Sequence, residues 1–373
     1  MNAGVIDLEM SGLRLPDTRS DLRRDRFGKP EHHDADYDAR YDWSTLVYDC
    51  FSDAEAGAIL LLCPPLLNFR PFMEDAEFRV DDKPARIRDI RDLSRCSIIA
   101  LDVAEGDTVT VTHSQFGGTL TVGRSFAEMF AGLNGIYSIS LNNRLEWITD
   151  WLDYYVRVHG LETVVLFDNG STAYAPHELR ATLGAVPGLR QAAIVRARYR
   201  FGPTAENKSA YNSLFLQRSM VEMARLRFFA KARAVVNADI DELFHSFRGQ
   251  SIFDATVASE GGYTRADAEW VYAPESGAGG YARHADHSHV SANGRPKANR
   301  KWCIAPQGPQ KGKQWLTHFI DSRHDPVDPD FRMWHFRQIS TSWKFDRSDA
   351  GPNLVANPEL TDTMRRVFST KPR

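Results

Sequence analysis

The stretch Ala234-Val235-Val236-Asn237-Ala238-Asp239-Ile240-Asp241-Glu242-Leu243-Phe244 constrains this chain more than any other. Its small and β-branched residues read as a buried parallel strand, and the run then rises into two carboxylates spaced i and i+2. If the backbone stays extended past Ala238, Asp239 and Asp241 project from one side, because strand side chains repeat every two residues. Ligands of open α/β sheets sit at the carboxyl ends of strands, where these acids fall. Two hard oxygen ligands suit Mg²⁺ or Mn²⁺, which can bridge to substrate phosphates. Paired acids after a strand also serve as loop solvation or a helix N-terminus, so this motif by itself leaves both readings open.

A chain of 373 residues is long enough for one large domain with an appendage, or for two domains. Hydrophobic residues at 42% and charged ones at 25% are ordinary for a soluble globular protein. The net charge of -3 argues against a dedicated nucleic-acid binder. Cys50, Cys63, Cys96 and Cys303 are scattered, with no CxxC spacing, which fits a reducing compartment and gives no zinc signature. No apolar run approaches the roughly 18 residues of a transmembrane helix, and the polar N-terminus has no signal-peptide core. A cytoplasmic location is expected.

Residues 1–40 are rich in Asp, Arg, Gly and Pro without a sustained period and read as a flexible arm, with His32 and His33 solvated. Residues 41–125 carry short β-like runs at Ser44 to Cys50, Ala58 to Cys63, Cys96 to Val103 and Thr108 to Val111, separated by turn formers. They predict a small β-rich accessory domain with a binding or spacer role. Phe126 to Asn134 reads as a linker. Beyond it the rhythm becomes β-α-β: a strand at Gly135 to Leu141, a helix at Leu145 to His159 closed by Gly160, and strands at Thr163 to Phe167 and Ala192 to Val195. A short helix falls at Leu179 to Leu183, and a long one at about Ser209 to Ala232 precedes Ala234. A mostly parallel sheet flanked by helices over 133–345 follows, with 346–373 as a C-terminal tail.

Polar groups gather at three strand ends: Asn142, Asn143 and Arg144; Asp168, Asn169 and Ser171; Asp239 and Asp241. On one edge of one sheet these would make a crevice for a nucleotide. No Gly-x-Gly-x-x-Gly follows the first strand and no Walker loop occurs, so Rossmann dinucleotide sites and P-loops are disfavoured.

Over about residues 135 to 345 the chain resembles sugar-nucleotide glycosyltransferases of the GT-A fold, nearest to family 92 and family-2-like bacterial members. Glu146-Trp147 and Trp151-Leu152-Asp153-Tyr154 are similar to the family's helix after the first strand. Leu166-Phe167-Asp168-Asn169-Gly170-Ser171-Thr172 is similar to its nucleoside loop, and Asn237-Ala238-Asp239-Ile240-Asp241-Glu242-Leu243 to its Asp-x-Asp-Glu metal motif. Trp334-His335-Phe336-Arg337, with Ser340, Trp343 and Lys344, lies near its C-terminal His-aromatic-Arg segment. Tyr155 stands where many relatives carry His, and Ala173 where a second Asp often follows.

The resemblance implies an α/β GT-A fold (Rossmann-like) behind a small β-rich domain. It also implies transfer of a hexose from a nucleotide diphosphate sugar, UDP-hexose by expectation, to a glycan or glycolipid acceptor in surface polysaccharide biosynthesis. Mn²⁺ or Mg²⁺ would be held by Asp241, with Asp239 shared between metal and ribose and His335 as a further ligand; His318 competes with His335 for that role. Glu242 would brace the strand end. Asp168, Asn169, Asn142 and Arg144 would meet the nucleoside or a phosphate, with an Asx turn as the alternative role for Asp168. Arg300, Lys301 and Lys344 are candidate diphosphate partners.

If the reaction inverts the anomeric centre, a carboxylate must take the acceptor's proton; Glu269 comes first, then Asp267, with Glu275 also in range. Glu275 to Asn299 reads as a mobile lid, and its His284, Asp286, His287 and His289 could alternatively be a zinc cluster. A lipid-linked acceptor would require peripheral membrane association, for which Arg225 to Arg233 is the basic candidate. Two other functions compete: a haloacid-dehalogenase-like phosphatase or phosphotransferase using the Asp-x-Asp pair, and a non-catalytic glycan-binding protein. A calcium loop fails because Phe244 sits where an EF-hand needs Gly.

Overall fold

The structure is a computed structural model that describes residues 3–16, 18–19, 21–53, 55–203, 212–274, 280–294, 298–321, 327–339, 341, 347 and 353–369. The chain divides into two compact units. One comprises Met1–Leu8, Met129–Val195 and Phe229–Arg373, the other Glu9–Glu128 and Arg196–Phe228.

The first unit is α/β and carries a mixed nine-stranded sheet. Its strands are β1 (Gly4–Glu9), β2 (Asn134–Ser140), β3 (Thr163–Asp168), β4 (Gln191–Arg196), β5 (Ala234–Asn237), β6 (Glu242–Ser246), β7 (Tyr263–Val271), β8 (Lys301–Ile304) and β9 (Phe331–Phe336). Their order across the sheet is β1-β4-β3-β2-β5-β8-β7-β9-β6. Strand β2 runs parallel to β3 and to β5, so all three carboxyl ends emerge on one edge. Beyond β5 the direction reverses: β8 is antiparallel to both β5 and β7, while β9 is parallel to β7 and antiparallel to β6.

Four helices matter to the site: α1 (Leu145–His159), α2 (Pro176–Gly184), α3 (Ile252–Ala258) and α4 (Pro358–Phe368). The aromatic spacing predicted α1, and it buries Trp147, Trp151, Tyr154 and Tyr155. It ends where expected, at Gly160, whose φ of 71° only glycine adopts without strain; Leu161 N–H then closes back on the Tyr155 carbonyl. Helix α1 also covers the free edge of β6. The Tyr154 hydroxyl and His159 Nε2 both meet the Phe244 carbonyl, and Tyr155 bridges Glu242 and Phe244.

Both chain ends depart from expectation. The predicted arm contains β1, which joins the large sheet next to β4, and Leu13–Arg14, which pairs with Thr45–Val47. Low average hydrophobicity misled here, because an edge strand needs a backbone partner and only one apolar face. The predicted tail forms α4, which buries Leu360, Met364, Val367 and Phe368 at i, i+4, i+7 and i+8 in the large core.

The second unit stacks its core between two four-stranded antiparallel sheets. One comprises Phe116–Thr121, Thr108–His113, Glu77–Val80 and Lys83–Ala85; the other comprises Asp49–Asp53, Ala58–Cys63, Cys96–Leu101 and Ile87–Leu93. Expected strands are present, and those rich in exposed charge, such as Ile87–Leu93, went unseen. The segment expected as a long helix from Ser209 to Ala232 is a shorter helix, Phe215–Met223, continued by a π-turn at Ala224–Phe228. Its first residues, 209–211, lie outside the described residues. The π-turn carries Arg227 to Asp49 at 2.5 Å, both almost wholly buried. Among the described residues no helix is long and apolar enough to cross a membrane.

Candidate functional site

Strand β5 stops at Asn237, so the acid pair does not continue the strand as expected. Asp239, Ile240 and Asp241 form a turn that feeds directly into β6. The turn closes on itself: Glu242 N–H donates to the Asp239 carbonyl at 3.0 Å, and Asp239 N–H donates to Glu242 Oε2 at 2.8 Å. His284 supports it from below, with Nε2 2.9 Å from the Ile240 carbonyl.

Cross-strand register then assembles the rest. Glu242 pairs with His335, and His335 with Trp270, so the three side chains share one face of the sheet. His335 stacks on Trp270 with ring centroids 3.8 Å apart. Its Nε2 stands 2.9 Å from Asp241 Oδ2 and 3.0 Å from Arg347 Nη1, and can donate to the first or accept from the second, not both. Arg347 Nη1 also lies 3.3 Å from Asp241 Oδ2. Burial pushes the Asp241 carboxyl up, but the charge and hydrogen bond of His335 outweigh it and hold the group below its usual value.

Lys301 reaches the same cluster from β8. Its ammonium is 2.9 Å from Asp239 Oδ2 and 3.0 Å from Glu242 Oε2, and its side chain is only 1% exposed. Burial pulls its pKa down, yet the two carboxylates more than reverse this and keep it charged. Lys301 was expected as a diphosphate partner; here it is an internal counter-ion for the acids.

This donor set bears on whether a divalent cation fits. Among the described residues, no group of three or more His, Cys, Asp or Glu is arranged to hold a metal ion. Mg²⁺ and Mn²⁺ sites of nucleotide enzymes need fewer, since phosphate oxygens and waters complete them. Neighbouring donors on an octahedral ion with ligands at roughly 2.1 Å stand about 3 Å apart, and the Asp241–His335 separation is 2.9 Å. His335 Nδ1 is buried without a hydrogen-bond partner and 3.8 Å from Glu242 Oε1. A ligating histidine donates its second nitrogen to a carboxylate or carbonyl, and Glu242 is the carboxylate nearest to that nitrogen here, beyond hydrogen-bond distance. Asp241 and His335 could therefore hold the ion, with Asp239 43% exposed beside them.

The other two strand ends are tied together. Asn142, in the left-handed region at φ 58°, accepts from Thr172 and Ala173 N–H through Oδ1 and donates its own N–H to Ser171 Oγ. Asp168 is buried and accepts from Ser171 N–H at 3.2 Å, so it closes its loop as an Asx-type turn. Asn169 N–H donates to the Ser140 carbonyl. Beside them opens a cavity of about 700 Å³ whose wall includes Asn142, Arg144, Trp147, Tyr174, Tyr281 and Gln338. The Arg144 guanidinium carbon lies over the Tyr281 ring, 3.9 Å from its centroid.

Several expected residues do not join the cluster. Glu269 pairs with Trp334 and therefore points to the opposite sheet face, and Asp267 shares that face by alternation. Asp267 is spent on Arg300 at 2.7 Å, an exposed pair that also occupies the expected phosphate partner. His318 Nδ1 rests 3.2 Å from the Arg300 carbonyl. Lys344, Ser340, Trp343 and Glu275 lie outside the described residues, as do 276–279 and 295–297 of the expected lid. Within the described part of that segment, His284 and His287 are fully buried against backbone carbonyls and form no zinc site with His289. Trp270 and Arg347 were missed, because neither carries a local motif and both arrive by strand pairing or chain return. No protein-family model and no curated protein matches this chain.

Proposed function

We propose that the chain is a metal-dependent glycosyltransferase. It would move a hexose from a nucleotide diphosphate sugar, UDP-hexose in the first instance, to a glycan or glycolipid acceptor in surface polysaccharide biosynthesis. The observation that carries this reading is the 2.9 Å contact of Asp241 with His335, in the turn that follows a strand parallel to β2. Bound there, Mn²⁺ or Mg²⁺ would neutralise the departing diphosphate without moving a proton. Asp241 and His335 would hold it, Glu242 would orient His335 through Nδ1, and Lys301 would hold Asp239 and Glu242 in place. Arg144, on Tyr281 in the neighbouring cavity, presents donors for a phosphate or a base. A cytoplasmic enzyme with peripheral attachment to the inner membrane face would reach a lipid-linked acceptor.

Lys301 and Arg347 already place two cations at the acids, which favours a second reading in which the diphosphate binds without metal. Titration with UDP, GDP and simple phosphate esters, with and without Mn²⁺, separates them. Metal-dependent nucleotide binding that disappears in Asp241→Ala supports the first reading. Binding that ignores metal and survives that change overturns it.

A further inference from the structure

A second cavity, of about 410 Å³, lies on the sheet face opposite Asp241 and His335. Register places it there: Leu243, Trp334 and Glu269 are cross-strand partners and point away from Glu242, His335 and Trp270. Its size is within the range of small-ligand sites.

Its wall combines three kinds of group. Trp334 stacks on His245 at 4.2 Å, and His245 meets Glu359 Oε1 at 3.0 Å and Phe247 edge-on. Phe247 is 42% exposed, an apolar ring open to solvent. Arg332 comes no nearer than 4.0 Å to Glu269 Oε2, and its Nε is buried with no hydrogen-bond partner. A buried guanidinium nitrogen without an acceptor is costly, and the guanidinium can donate in several directions. Glu269 and Glu359, on the same wall, offer only acceptors when ionised.

A ligand matching this wall needs acceptors for Arg332, donors for the half-exposed Glu359 carboxylate and an apolar face for Phe247. An anion would meet two carboxylates, and a purely apolar molecule would leave Arg332 unpaired. Sugar hydroxyls both donate and accept, and a pyranose ring presents C–H groups on its face. We infer that this cavity binds one neutral sugar ring of a glycan chain, at a site separate from Asp241. The inference stands whether or not the chain is a transferase.

Calorimetric titration of the full chain with maltopentaose, cellopentaose and chitopentaose tests it. At least one should bind, and Arg332→Gln and Phe247→Ala should each weaken that binding about tenfold or more, while Asp241→Asn leaves it unchanged. Phe247 is exposed enough that its variant keeps the test decisive if Arg332→Gln fails to fold. No binding of any pentaose, or binding lost in Asp241→Asn and kept in Phe247→Ala, overturns the proposal. Metal-dependent UDP binding is measured separately, so either reading can fail alone.

Discussion

Lys301 holds its ammonium 2.9 Å from Asp239 while almost no part of its side chain reaches solvent. Its other contact, Glu242, is buried as well, at 3.0 Å. Removing one partner of a buried pair strands the other charge. Lys301→Met should therefore lower unfolding stability by about 3–5 kcal/mol, read by urea denaturation. A loss below about 1 kcal/mol would show that Glu242 finds another cation or takes up a proton.

Acid should unfold the protein in two stages. His159 and His287 are fully buried, and burial pulls each imidazole down to about 4, against roughly 6.5 in the unfolded chain. Between those values the unfolded chain binds protons that the folded one refuses. Stability is thus complete above about pH 6.5 and declines toward pH 4, by about 3 kcal/mol per histidine. Burial pushes Asp150 up, but the nearby His284 imidazole and the hydrogen-bonded Arg283 guanidinium bring it to about 2. Its contribution, complete above roughly pH 3.9, is lost as pH falls from there through about 2. Denaturation midpoints unchanged from pH 7 to 4.5 would contradict the first stage.

The two sheet faces should behave independently toward nucleotide. His335→Ala and Asp241→Asn are expected to weaken Mn²⁺-dependent UDP binding about tenfold or more, whereas Glu269→Gln, across the sheet, should not. A large effect of Glu269→Gln on UDP binding would place the nucleotide on the wrong face for this reading.

Tyr155→Phe tests how β6 is held. The hydroxyl donates to the Glu242 carbonyl at 3.0 Å and accepts from Phe244 N–H at 3.1 Å. Its loss leaves a buried backbone N–H unpaired, a cost of about 1–3 kcal/mol. Amide exchange at Phe244 should accelerate in step. Unaltered stability and exchange would mean that Tyr154 and His159 cover this edge unaided.

Local chemistry made much of the fold legible. Trp147, Trp151 and Tyr154 recur at helical spacing, Gly160 ends the helix, and Val164, Val165, Val235 and Val236 are apolar on both faces because their strands are covered on both sides. The helix Pro358–Phe368 is equally readable, since Leu360, Met364, Val367 and Phe368 recur at helical spacing, in contrast to the tail expected there. Strands such as Gly4–Glu9 and Ile87–Leu93 were not readable, since half-exposed edge strands carry little apolar signal.

The site divides along the same line. The sequence by itself determined that an acid pair follows a buried strand at Asp239 and Asp241, and that polar loops follow Ser140 and Asp168, since these depend on neighbours along the chain. Only the tertiary structure decided that His335 rather than His318 meets Asp241, that Trp270 joins them, that Lys301 serves the acids internally, and that Glu269 faces the other way. The physical reason is the pleat: side chains alternate faces with a period of two, so a shift of one residue in strand pairing moves a residue from one face to the other. Register between β6, β7 and β9 is set by the whole sheet, and no stretch of the sequence carries it alone.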